Sequence, residues 1–261
     1  MAAGESKPGW DPQLYLRYAA QRGSAALDLI HSLQLEPRTI ADLGCGPGNS
    51  TEMLHARWPN AAIIGIDNDQ PMIASARKAH PDWKWELSGI EEWQPAQAFD
   101  LVFSNAALHW LPDHARLFPH LFGFVAEGGA FAVQMPQNQY SRVHAIMRDI
   151  AESDSWRIRF NSPIQHLTNH PPDFYYDLLA PLAARLDLRE TTYTHELESP
   201  DAIIKWVRAT GMRVYLNALP PQLHEAFEAD CLAETTRQFS PQANGKYLLP
   251  YPRIFVVGYR G

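Results

Sequence analysis

The residues best equipped for chemistry lie in one run, Asp42-Leu43-Gly44-Cys45-Gly46-Pro47-Gly48, with a second acid, Asp67, 23 residues beyond Gly44. Glycines are needed where a backbone must turn tightly and let a ligand approach closely. The run follows an apolar stretch and precedes a helix-forming one. Open N–H groups at that helix start therefore face whatever binds there. A nicotinamide-type fingerprint reads G-x-G-x-x-G, whereas the spacing here is G-x-G-x-G and Asn49 stands where the last glycine belongs. A Walker loop needs Gly-Lys-Ser/Thr, which the chain lacks. Asp42 would repel a phosphate and suits a cation instead. A carboxylate at Asp67, closing the next strand, can accept both hydroxyls of a ribose.

Those residues need a fold to position them. Residues 39–43 (TIADL), 61–67 (AAIIGID), 83–87, 99–104 (FDLVFS) and 129–135 (GAFAVQM) read as strands. Between them, residues 49–58, 71–79 and 113–125 read as helices, with Asn49 or Ser50 capping the first. Such alternation is the pattern of a doubly wound α/β sheet, expected over residues 36–136. Ahead of it, Leu14, Tyr18, Ala25, Leu29 and Leu33 recur at helical spacing, with a break expected at Gly23, and residues 1–9 read as a disordered tail. The second half is less regular. Helices are expected over residues 140–150, 173–182, 199–210 and 220–239, the third capped by Ser199 with Pro200 at its first position. Residues 153–172 read as a loop. Strands are expected over residues 186–197 and 254–259, completing the sheet as an antiparallel pair, with the helices between them as a cap.

Composition excludes several classes. The 261 residues carry a formal net charge of -7, so the protein is not drawn to nucleic acid or to an anionic membrane. An anionic substrate would need a local basic pocket. No stretch reaches the ~20 apolar residues of a membrane span, and residues 1–8 lack the apolar run of a signal peptide. The two cysteines, Cys45 and Cys231, complete no metal set and imply a reducing compartment. The expectation is a cytoplasmic monomer without metal. Paired catalytic carboxylates, a Ser-His-Asp order and metal-ligand spacing are all missing, and the eleven histidines are scattered.

At the D-L-G-C-G-P-G loop and Asp67 the chain resembles class I S-adenosylmethionine-dependent methyltransferases, whose cofactor carries a cationic amino group and sulfonium. Further segments, Trp10-Asp11-Pro12-x-Leu14-Tyr15, Gly44 to Thr51, Asn105-Ala106 with Trp110-Leu111-Pro112-Asp113-His114, Gln134-Met135-Pro136, Ala209-Thr210-Gly211 and Pro252-Arg253, resemble the trans-aconitate 2-methyltransferase family. The resemblance runs from Trp10 to about Val257. It implies a Rossmann-like seven-stranded sheet and methyl transfer from S-adenosyl-L-methionine to a carboxylate of trans-aconitate, giving the monomethyl ester and S-adenosylhomocysteine. It also implies a division into a helical segment over the cofactor (residues 1–35), a cofactor-binding core (36–136) and a sheet-completing, substrate-capping part (137–261). By position, Asp42, Gly44 and Gly46 should cradle the methionine part, with Cys45 and Asn49 in the same loop. Asp67 should hold the ribose, with Asn68 and Met72 after it. Ser88, Gly89 and Ile90 should sit by the adenine, and Asn105 should face the methionine end beside Trp110. Many family members carry an acid at the position of Gly89, so a backbone group or Glu91 must substitute. Alternatives are a methyltransferase for another small molecule, a non-catalytic cofactor-binding module, and a dinucleotide oxidoreductase disfavoured by Asn49 and Asp42.

A carboxylate substrate is already ionised at neutral pH and needs no general base. Catalysis then rests on aligning oxygen, methyl carbon and sulfur, which can supply roughly 7–11 kcal/mol. A polycarboxylate held away from water needs cations, and arginine matches a carboxylate bidentately. The candidates are Arg17 and Arg22 on the first helix, Arg213 at a helix end where the dipole favours it, and Arg253 opening the last strand. Tyr175 and Tyr176, one of them expected in the core, and His109 are further candidates for the pocket. Trp110 would form a wall, and Gln134 and Asn138 could orient the substrate.

Overall fold

The computed structural model describes residues 19–165 and 167–261, without the side chains of residues 19–22 and 138. The tail expected over residues 1–9, and Trp10, Leu14 and Arg17, lie outside the described residues. Helix α1 (Ala19–Ser32) leads into β1 (Thr39–Leu43), α2 (Asn49–Arg57), β2 (Ala62–Asp67), α3 (Gln70–Ala79), β3 (Lys84–Leu87) and β4 (Phe99–Asn105). A 3-10 turn (Leu108–Trp110), α4 (His114–Phe122) and β5 (Val125–Pro136) follow. The rest of the chain forms α5 (Arg142–Glu152), α6 (Pro172–Leu179), β6 (Arg185–Leu197), α7 (Pro200–Arg208), the short α8 (Arg213–Leu216), α9 (His224–Gln238) and β7 (Tyr247–Tyr259).

The seven strands form one mixed sheet in the order β3-β2-β1-β4-β5-β7-β6. β1 is parallel to both β2 and β4, β2 to β3 and β4 to β5, while β7 runs antiparallel to β5. Strands β1 and β4 are buried along most of their length because helices cover both faces, as their near-continuous apolar runs require. The strand order reverses between β1 and β4, and ligands bind outside the carboxyl ends of the strands at such a switch point.

Several sequence expectations are corrected. α1 runs unbroken through Gly23, where a Cβ would lie 2.8 Å from Met53 Cε. Glycine there permits close helix packing. The cap of α2 is neither Asn49 nor Ser50, which lie within the helix, but Gly48, in left-handed backbone and without a side-chain cap bond. β7 begins at Tyr247, so Arg253 lies within the strand rather than opening it. Pro250 and Pro252 precede the stretch paired with β5, which starts at Arg253, so their missing N–H groups cost that ladder nothing. Alternation along residues 186–197 sets Leu188, Thr192 and Thr194 on one face and Arg189, Tyr193 and His195 on the other, but within β6 the inward-facing set switches between Leu188 and Arg189: Tyr193, His195 and Leu197 are the less exposed residues, with Thr192 and Thr194 outward.

The chain falls into two compact units. One comprises Ala20–Pro136, Thr168–Thr191 and Arg253–Gly261, the other Gln137–Leu167 and Thr192–Pro252. The first has a core of sheet and helix residues including Leu43, Ile66, Val102, Phe118, Phe131, Tyr175 and Val256. The second has its own, around Val143, Met147, Trp206, Met212, Phe227 and Tyr251. Its helix α7 starts as the sequence predicts, with Ser199 accepting from the Ala202 N–H at 3.1 Å.

Candidate active site

The loop after β1 turns on three glycines with positive φ: Gly44 (73°), Gly46 (56°) and Gly48 (104°). Side chains rarely adopt that backbone. Gly44 is constrained twice, since a Cβ there would overlap the Ala107 methyl and lie 3.6 Å from Ala107 Cα. The N–H groups of Gly44 and Cys45 donate to Ile66 O at 2.8 and 3.0 Å, tying the loop to β2. Gly46 N–H donates to Asp67 Oδ2 at 2.9 Å. Trp85 closes the far side: its ring lies 2.9 Å from where a Gly48 Cβ would be.

Asp42 sits fully buried beneath this loop. Its Oδ2 accepts from Ser50 Oγ and Thr51 Oγ1, both at 2.7 Å, which pins the start of α2 to the end of β1. Its Oδ1 is buried and has no hydrogen-bond partner. Burial pushes the carboxyl up to about 6, against the pull of the Thr51 and Ser50 hydroxyls and with a small push from Asp67. Sequence reasoning missed Ser50 and Thr51 as Asp42 partners. The signal was a pair of hydroxyls one turn past the last glycine.

Asp67 is half-buried and its carboxyl is raised by burial, opposed by the Asp69 and Gly46 N–H groups. Oδ1 accepts from Asp69 N at 2.8 Å. A carboxylate has about four lone-pair sites, and with the Asp69, Gly46 and Asn68 N–H groups donating it keeps room for about one more donor. Asn68 is exposed; Met72 is buried and its N–H donates to the cap residue Asp69 at 3.0 Å. Ser88 N–H donates to Asp67 O at 3.0 Å, bringing Ser88 and Gly89 alongside β2. Ile90 is buried, its Cδ1 3.6 Å from the place of a Gly44 Cβ. Cys45 is a buried free thiol, pushed up by burial and by Asp42 and Asp67. Asn49 opens α2, half-buried.

β4 completes the corner. Asn105 pairs with Gln134 of β5, and its Oδ1 is buried without a partner. Ala106 follows with φ 53°, a strained conformation for a side-chain-bearing residue, held by its N–H to Gln134 O at 2.8 Å. Sequence reasoning gave no sign of it, since the position is not glycine. Gln134 is fully buried, and its Oε1 accepts from Arg253 Nη1 at 3.1 Å. Arg253 itself is only 4% exposed.

The other candidates fall elsewhere. His109 is buried, its ring tilted against half-buried Trp110 at 5.2 Å. Tyr175 is the core member of its pair, and Tyr176 is exposed. Tyr175 Oη meets His114 Nδ1 at 2.9 Å, and His114 Nε2 meets Leu108 O at 3.0 Å. Burial holds the His114 imidazole below its ordinary range. A neutral ring protonated at Nε2 satisfies both bonds, so this pair fixes the 3-10 turn to α4 and α6. Arg213 is half-buried in the second unit. It opens α8 rather than closing α7, which ends at Arg208 with Lys205 and Arg208 as its last-turn cations, so the dipole argument for Arg213 does not hold. The side chains of Arg22 and Asn138 and all of Arg17 lie outside the described residues. Among the described residues no cluster of His, Cys, Asp and Glu could hold a metal.

Residues 40–129 match a family model described as a methyltransferase domain. Among solved structures of similar fold are YcgJ from Bacillus subtilis (TM-score 0.56, 12% identity, 91% of this chain and 97% of that one) and the Haemonchus contortus phosphoethanolamine N-methyltransferase 2 in complex with S-adenosyl-L-methionine (TM-score 0.55, 12% identity, 92% and 52%). At that identity the likeness establishes the fold. Curated relatives are closer in sequence. Trans-aconitate 2-methyltransferases of Escherichia coli O139:H28 and Escherichia fergusonii are each 43% identical over 252 residues, covering 96% of this chain and 98% of the relative. With that identity sustained over nearly the full length of both partners, the chain belongs to the trans-aconitate 2-methyltransferase family.

Proposed function

We propose that the protein transfers the methyl group of S-adenosyl-L-methionine to a carboxylate of trans-aconitate, giving the monomethyl ester and S-adenosylhomocysteine. The observation that carries the cofactor reading is buried Asp42. One of its oxygens is unpartnered beneath a loop of three positive-φ glycines, and Asp67 stands one strand away. An orphaned buried carboxylate oxygen is costly unless a donor or a cation completes it. Gly44 and Gly46 bring the chain close to the methionine part, and Asp67 keeps acceptor capacity for a ribose. Cys45, Asn49, Asn68, Met72 and the Ser88–Gly89–Ile90 edge bound the same space, and Asn105 faces the methionine end.

Bound S-adenosyl-L-methionine supplies a methyl group activated on a sulfonium. The residues around it have no proton to move, because the attacking carboxylate is already ionised. Their work is alignment and exclusion of water. For the substrate we assign Arg253, whose guanidinium donates to Gln134 and whose fork geometry matches a carboxylate. Arg213 is the next cation to test. A small-molecule role accords with this architecture, and among the described residues no helix is long and apolar enough to cross a membrane. Two buried free thiols support a reducing, cytoplasmic setting, and we take the working form to be a monomer.

A methyl-transfer screen over di- and tricarboxylic acids tests the assignment. Ester formation with trans-aconitate is the expected result. Transfer only to a phenol or an amine would refute the substrate reading while leaving the cofactor reading intact.

A further inference from the structure

Arg253 answers for one charge, whereas trans-aconitate carries more than one carboxylate. A second cation stands on the same face of the sheet. Asn105, Gln134 and Phe255 are paired across β4, β5 and β7, so their side chains share a face. Arg253, two residues before Phe255 on β7, shares it too. Met135, Ile254 and Val256 point the other way, into the helix-covered core. The outermost strand, β6, adds Arg189, whose guanidinium lies over the Phe255 ring at 4.5 Å. Further back along β6, Arg185 lies over the ring of Tyr259, further on along β7. The two strands therefore run antiparallel, with Arg189 opposite Phe255 and Arg253 its diagonal neighbour, about 7–8 Å away.

A charged residue on an edge strand ordinarily keeps its head in water. Arg189 departs from that pattern: it is half-buried, and its Nε is a buried donor with no hydrogen-bond partner. Gln134 is fully buried, and its Nε2 is likewise unpartnered while its Oε1 is taken by Arg253. Two unsatisfied donors and two guanidiniums thus share one face. They lie towards the carboxyl ends of β4 and β5, where such sheets bind their ligands. A buried donor left unpaired is costly, and an anionic oxygen satisfies it. Cation–π packing on Phe255 accounts for the place of the Arg189 guanidinium but leaves its Nε donor idle. We infer that Arg189 is a second substrate-binding residue, holding a carboxylate other than the one that is methylated. The attacking carboxylate needs a free lone pair towards the sulfonium, and a bidentate guanidinium would occupy it. This inference rests on the trans-aconitate reading.

Competition against trans-aconitate methylation by mesaconate, glutaconate and itaconate tests this, since each lacks a different carboxylate of the substrate. Deleting the carboxylate that Arg189 holds should cost the unmutated protein roughly 10- to 100-fold in affinity. Arg189→Met, which keeps the bulk of the stem, should raise KM for trans-aconitate by a similar factor with a smaller effect on kcat. It should also bind one of the three dicarboxylates as well as it binds trans-aconitate. Arg189→Lys should recover part of the discrimination, because it keeps the charge without the fork. Calorimetry with S-adenosylhomocysteine should return the unmutated affinity for both variants. If Arg189→Met ranks the four acids as the unmutated protein does, the guanidinium serves only to pack on Phe255, and the assignment of Arg189 alone is overturned. If the unmutated protein esterifies no polycarboxylate, the substrate reading falls and the assignment with it.

Discussion

Asp42 combines two demands that pull against each other. Its burial favours the neutral acid, while the hydroxyls of Ser50 and Thr51 favour the carboxylate, and burial wins, lifting the group from 3.8 to about 6. Between those values the folded chain keeps a proton that the unfolded chain has released. Its contribution to stability is therefore fully present below about pH 4, declines as pH rises towards 6, and is lost above that. The span corresponds to about 3 kcal/mol. Asp42→Asn removes this dependence. In urea denaturation without cofactor, the variant should match the parent near pH 4 and gain on it by up to about 3 kcal/mol towards pH 7. A variant that instead loses ground as pH rises would contradict the assignment. The free acid is destabilising at neutral pH for the same reason that it suits a cation: binding a positive group restores what burial took away. A site kept at some expense to the fold is common where ligands bind.

The β1–loop–α2 unit shows how a local element enforces that geometry. Gly44 needs left-handed backbone, and any side chain on it would meet Ala107 after β4. Gly44→Ala should therefore strain φ and force loop and β4 apart, costing roughly 2 kcal/mol or more. A urea unfolding curve superimposable on the parent would show that the loop can yield. On the opposite flank, Ala106 holds positive φ without being glycine, kept there by its bond to Gln134. The His114–Tyr175 pair shows why aromatic candidates near a site need the fold to sort them. Sequence placed two adjacent tyrosines at the start of a helix, and helix periodicity sends one inward and the other to solvent. Only Tyr175 reaches His114, and it does so as part of the core.

Taken entire, the chain is acidic, with a net charge of -7, yet it buries Arg253 beside Gln134. A buried guanidinium is a local positive group, and an acidic protein must attract an anionic substrate locally. Ligand binding should also be visible as stability of the whole chain. S-adenosylhomocysteine at a hundred times its Kd contributes about 2.7 kcal/mol, which for a chain of this size is a rise in Tm of roughly 5–10 °C. NAD should produce none. A melting shift with NAD and not with S-adenosylhomocysteine would return the loop to the dinucleotide class that its G-x-G-x-G spacing argues against.

The sequence alone carried the strand-and-helix alternation and the loop with its flanking acid, because each depends on neighbours within a few residues, and Asp67, because it closes the strand that follows the loop. It also carried the family resemblance, which is a matter of residue order. It could not reveal that Ser50, with Thr51, serves Asp42 rather than caps a helix, that Arg253 lies within a long strand and bonds to Gln134, or that Glu92 lies over Gly89. Gln134 and Arg253 are joined by pairing of strands far apart in the chain. Such contacts follow from how the strands are ordered and packed, and no local spacing records that order.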